Sequence, residues 1–343
     1  MIPQGPIYQS IRTTVLTAFA DRSEASLKKR VTFGDWLLNQ LGTYHVKSVG
    51  TKDFTIEASQ FDISSALLTD VECLTNHCFE QLQELSRYYV DQEPRSDAWN
   101  VVTIYYLAFF AAQSFLTLIG SPVIFIDKAH IANIRSLALG TVPNPGAGTY
   151  YIHAKTAVSA TSAEYQIKKS DLKIHDAVWK KVFDFFSSVL KAPNVSSLTQ
   201  EVLFYQLLTS KVLQAVYKTE GWPSSVRIKA NYSPGFAYLL VENADAAKTK
   251  NLLTHWQNAD EKTVLNNLKA AVAASSGGSK SDFAGHVRLL HDITQPLFYL
   301  TRLLYSELLE RKNISKTWEH RRHVFRQRMS LPAGNFSTLA QTF

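Results

Sequence analysis

The stretch AWNVVTIYYLAFFAAQSFLTLIGSPVIFI, residues 98–126, carries no charged side chain. Such a run is either a membrane span or the central helix of a folded domain, because both surround a helix with apolar contacts. Length does not separate the two, since about 22 residues of helix reach roughly 33 Å. Placement does. On a helical wheel Asn100, Thr103, Tyr106, Ser114 and Thr117 gather on one side with Gln113 at the edge, a thin polar stripe on an otherwise apolar rod. Tyr105 and Tyr106 lie well inside the run, whereas spanning helices keep tyrosine at the interfaces, and no Lys/Arg cluster marks a cytoplasmic flank. Gly120-Ser121-Pro122 interrupts it. The sequence predicts a buried helix of a soluble protein, with no membrane partner.

Upstream, Leu67, Val71, Leu74, Cys78, Leu82, Leu85 and Tyr89 recur at alternating four- and three-residue steps, the pattern of an amphipathic helix with one buried stripe. Pro94 ends it, Asp97 is suited to cap the uncharged helix, and the two should lie antiparallel. Residues 1–63 mix Pro, Gly, Thr and short apolar patches with one short helix around Phe33–Leu41, and read as an N-terminal arm.

Downstream, a short helix runs through His130 and Ile134, and Gly140–Gly148 with two prolines is a loop. Residues 149–169, rich in Tyr, Thr, Val and Ile around a polar centre at Ser159–Ser162, read as a β-hairpin. Helices follow at Asp176–Lys191 and Thr199–Thr219, then an irregular stretch, Gly221–Pro234, and a connector at Ala273–Ser281. A last long helix spans about Asp282–Glu310, with Pro296 either kinking or dividing it. The expected fold is mainly α: a helical bundle at 64–310 with an inserted hairpin and long irregular loops, followed by a basic helix and tail at 311–343.

A hydrophobic fraction of 45% in 343 residues is ample for a core. Two cysteines, Cys73 and Cys78, make no disulfide framework and no secretory leader pattern is present, so the cytoplasm is the expected compartment. Cys73, His77 and Cys78 lack a second ligand cluster, which argues for ordinary packing and no metal. Phosphate-loop, nucleophile-elbow, zinc-protease and kinase patterns are absent, and no cofactor is expected.

The net charge of +7 is concentrated. Between Arg311 and Arg328 seven basic residues face a single acidic one, Glu319, a balance of +6. Lys316, Arg321, Arg322, Arg326 and Arg328 are the candidate phosphate contacts, and Trp318 is placed to pack or stack on a base. The same cations would suit an acidic protein partner, or simply a solvated helix whose arginine stems cover apolar surface. His286, Arg288 and His291 fall within one short stretch and are the candidates for acid–base chemistry on a phosphodiester, against the plainer reading of a helix surface.

The segment Tyr105–Leu116, with paired aromatics among small residues, resembles the central helix of HEPN-type helical domains, and the preceding amphipathic helix fits the same pattern. Arg227, Asn231 and Tyr232 look like the Arg/Asn/Tyr segment of divergent members of that family. The resemblance covers about residues 64–120 and 200–310. It implies an RNA-related module of a prokaryotic defence or toxin–antitoxin system, able to dimerise. Many family members are metal-independent ribonucleases built on Arg-x4–6-His, but here no arginine is followed five to seven residues later by histidine. The active residues therefore do not carry over. A non-catalytic nucleic-acid-binding protein is the first reading, an interaction subunit for an acidic partner the second, and a ribonuclease using His286, Arg288 and His291 the third. Reversing charge at Arg321 and Arg322 is expected to weaken nucleic-acid binding and flatten its salt dependence, measured by anisotropy across a salt series.

Overall fold

The computed structural model describes residues 5–20, 31–39, 43–90, 97–159, 161–191, 201–202, 205, 221–232 and 283–311. Its elements in chain order are α1 (Pro6–Ala18), α2 (Phe33–Asn39), β1 (Tyr44–Val49), β2 (Asp53–Ser59), α3 (Gln60–Val90), α4 (Asp97–Leu118), β3 (Val123–Ile126), α5 (Lys128–Leu137), β4 (Gly148–Ala157), β5 (Ser162–Lys169), α6 (Ile174–Leu190), α7 (Trp222–Tyr232) and α8 (Phe283–Arg311).

The uncharged helix is the axis of the molecule. Along α4, Val101, Val102, Ile104, Tyr105, Leu107, Ala108, Ala111, Ala112, Phe115 and Leu116 are all buried. A helix apolar all round needs neighbours on several sides, and α4 packs against α3, α6, α7 and α8. It is the one described helix long and apolar enough to cross a membrane, yet 78% of its most apolar window lies inside the protein. Phe115 stacks on Phe186 of α6 at 4.9 Å, and Thr301 of α8 donates to the carbonyl of Ala111 at 3.3 Å. Each large apolar side chain so buried contributes roughly 1.5–3 kcal/mol.

The expected fold class is corrected here. In place of a bundle with one hairpin stands a five-stranded antiparallel sheet, ordered β1-β2-β5-β4-β3, beside the helices: a mixed α/β protein. The hairpin falls where the sequence puts it, but three further strands flank it. The segment before residue 64 supplies α1, α2, β1 and β2, so half of its length is built into the sheet and the core. The strand β3 is the end of the uncharged run. Helix α4 stops at Leu118 in a Schellman turn: the amide of Gly120 donates to Thr117 and that of Ser121 to Leu116, with Gly120 at φ 70°. Pro122 then favours extended backbone, and Val-Ile-Phe-Ile pairs with β4.

One helix departs from expectation, and another is decided between two alternatives. Trp222–Tyr232, expected to be irregular, is helical, because Pro223 sits in the first turn where its missing amide costs nothing. Pro296 does not divide α8, which runs unbroken for 29 residues. That helix is tied to the N-terminus by Glu307, which accepts from the phenol of Tyr8 at 2.9 Å and pairs with Arg12.

The start of α2 carries a titratable latch. Thr32 caps it reciprocally with Asp35, and Asp70 of α3 accepts from the amide of Phe33 at 3.2 Å. Burial, with a smaller contribution from Asp35, pushes the Asp70 carboxyl up to about 7. The folded state therefore holds this proton more tightly than the unfolded chain, where an aspartate titrates near 3.9, and loses stability as pH rises from about 4 through 7. Asp70→Asn keeps an acceptor for Phe33 and removes the charge. It is expected to gain roughly 2 kcal/mol relative to wild type between pH 5 and pH 8 in denaturant unfolding; a difference independent of pH would contradict the assignment.

Candidate nucleic-acid interface

Between Ala98 and Leu118 of α4, five positions escape full burial: Trp99, Thr103, Tyr106, Phe110 and Gln113. Their four- and three-residue steps form one stripe along the helix. It is not the polar stripe of the helical wheel. Asn100, Ser114 and Thr117 are buried, and of that set only Thr103, Tyr106 and Gln113 reach the surface. Aromatic rings replace them: Trp99 is 64% exposed, and Phe110 is half-buried.

The stripe runs between α3 on one side and α6 with α7 on the other. From α3, the exposed His77 stacks on Phe110 at 4.9 Å and is held by Glu80, its Nδ1 2.9 Å from that carboxylate. Phe110 in turn stacks on Tyr106 at 5.8 Å. From α7, Nη1 of Arg227 donates to the Tyr106 hydroxyl at 3.1 Å, and the guanidinium lies over Tyr105 and Tyr106, 5.6 and 6.0 Å from the ring centres. Such contacts are worth about 0.5–2 kcal/mol and orient the flat cation. The Nε of Arg227 is buried without a hydrogen-bond partner, and no carboxylate pairs with this arginine among the described residues. Its charge is held in place with no carboxylate partner among the described residues.

Behind the arginine lies a shared proton network. Tyr105, fully buried, has its hydroxyl 2.8 Å from Nδ1 of His175 at the start of α6 and 3.4 Å from the Ser224 hydroxyl of α7. Burial pushes the Tyr105 phenol up to about 12, so it stays protonated at neutral pH. Burial first, and the Arg227 charge second, lower the His175 pKa, which keeps the imidazole neutral there and favours Nε2–H as a donor if Tyr105 donates to Nδ1. Phe109 closes over the ring at 4.3 Å. The arrangement can bind an anion through Arg227 and offer a neutral imidazole beside it, and its exposed rings can stack on flat ligands.

Of the residues singled out from sequence, the structure brings Tyr105, Tyr106 and Arg227 into contact. Asn231 and Tyr232 lie exposed on the last turn of α7, Tyr232 at 74%. His286, Arg288 and His291 fall on α8, with side chains outside the described residues, and Lys316, Trp318, Arg321, Arg322, Arg326 and Arg328 lie outside them altogether. Cys78 is buried with its Sγ toward the Leu107 carbonyl at 3.8 Å, away from the exposed His77. Among the described residues no three His, Cys, Asp or Glu side chains converge as metal ligands. His175 and Ser224 had no signal in the sequence, because each reaches Tyr105 across more than sixty residues of chain. Comparison with protein-family models, with curated proteins and with solved structures finds no match to this chain.

Proposed function

We propose that this protein binds single-stranded RNA along the open stripe of α4, with Arg227 taking a phosphate and the rings of Trp99, Tyr106 and Phe110 receiving bases. The observation that carries the reading is the union of an oriented guanidinium, without a carboxylate partner among the described residues, with a row of accessible aromatic rings. Single-strand-binding surfaces combine these two elements, and each stacked base contributes about 1–3 kcal/mol. Guanidinium is also the cation best matched to phosphate, through paired donors.

Two further considerations support it. The basic segment from Arg311 to Arg328 supplies a second source of phosphate contacts. The resemblance to HEPN-type domains rests on the segment Tyr105–Leu116 and on Arg227, Asn231 and Tyr232, and of these Tyr105, Tyr106 and Arg227 meet at this surface. The setting that goes with it is a cytoplasmic defence or toxin–antitoxin system of a prokaryote. Binding alone is proposed, not cleavage.

Anisotropy of fluorescein-labelled oligouridylate tests the reading. Arg227→Gln is expected to weaken binding about tenfold and to reduce the salt slope by about one phosphate contact. Trp99→Ala should weaken it about fivefold or more with the slope unchanged, since stacking releases no counterions. Both variants binding as wild type would remove the proposal, and failure of wild type to bind RNA would favour an acidic protein partner.

A further inference from the structure

The inner face of the sheet is not completely covered. Phe54, Ile56, Ile152 and Ile167 on that face are buried, yet Ala154, their neighbour in register, is exposed and Tyr165 beside it only half-buried. The gap is a cleft of about 350 Å³ between the end of α1, the start of α3 and strands β4 and β5. Its lining is mixed, with Phe19, Ile63 and Ala154 among the apolar residues.

Of the polar residues lining this cleft, Thr14 and Thr17 donate to carbonyls of their own helix and Ser64 accepts from the amide of Ala20. Gln60, Lys155 and Tyr165 also line it, and their side chains make no hydrogen bond or ion pair among the described residues. Lys155 is there against the ordinary rule of the strand. Its predecessor Ala154 already faces the cleft, and strict alternation would turn Lys155 to the opposite face. The β4–β5 register, however, passes from Ala154↔Tyr165 to Thr156↔Glu164, leaving Lys155 as the extra residue of a β-bulge. A bulge re-aims a side chain, and Lys155 is among the residues that line the cleft.

We propose that this cleft is a binding site for a small amphipathic carboxylate, with its apolar body against Phe19, Ile63 and Ala154 and its head group paired with Lys155. Tyr165 and Gln60 supply neutral hydrogen bonds to the same head group. The volume falls in the range of small-molecule sites, and apolar residues with a few polar groups among them are their usual composition. The site lies at the opposite end of α4 from Trp99, near Gly120, and does not depend on the RNA reading.

Octanoate and 1-octanol, titrated calorimetrically into the full chain, separate the two parts of the proposal. Octanoate is expected to bind saturably at one site and octanol more weakly. Lys155→Met should weaken octanoate about fivefold while leaving octanol unchanged, as for one partly exposed ion pair. Ala154→Phe, which fills the cleft from an exposed position, should abolish both while keeping the wild-type melting temperature. No saturable octanoate binding to wild type, undiminished binding to Ala154→Phe with the fold intact, or a Lys155→Met effect that is absent or equal for the two ligands would overturn it.

Discussion

The burial of α4 is the constraint on which the rest of the structure depends. A 22-residue helix without a charge beyond its first residue is insoluble by itself, and the fold is the means of enclosing it. Four of the described helices do so, and the chain leaves its end through a glycine turn straight into the sheet. What the enclosure leaves open is as informative as what it covers. Five residues at helical spacing remain, three of them aromatic, where an enclosing helix would leave none. Accessible rings of this kind cost stability unless a ligand uses them.

The arginine at the edge of that stripe follows from the same packing. Helix α7 lies against α4 through Trp222, Val226 and Ala230, all buried, which sets Ser224 and Arg227 over Tyr105 and Tyr106. The cation is therefore positioned by apolar contacts two turns long, with no carboxylate among the described residues to quench it. His175 enters from α6 by the same logic: Val178, Trp179 and Val182 dock that helix, and its first turn delivers the imidazole to the Tyr105 hydroxyl.

Much of this was legible in the sequence where periodicity ran long enough to decide. The stripe of α3, the extent of α8 and the hairpin of β4 and β5 follow from apolar spacing and turn residues. The sheet was not, for three local reasons. β3 is only four residues long and continues an apolar run that begins as helix. β1 is an edge strand whose exposed His45, Lys47 and Ser48 hide its alternation. β2 buries Phe54, Thr55 and Ile56 in succession, so neither period appears. The site divides in the same way. Tyr105, Tyr106 and Arg227 were visible as types in a pattern, while His175, the exposure of Trp99 and the burial of Asn100 are decided by which helices surround α4, a tertiary matter that a wheel cannot contain.

The account stands on the open stripe of α4 being the surface that meets RNA. Photo-cross-linking to an oligonucleotide bearing 4-thiouridine, followed by mass spectrometry of the digested adducts, tests this most directly. The account predicts adducts at Trp99, Tyr106 or Phe110. Adducts confined to other parts of the chain, with these three unmodified at saturating RNA, would contradict it.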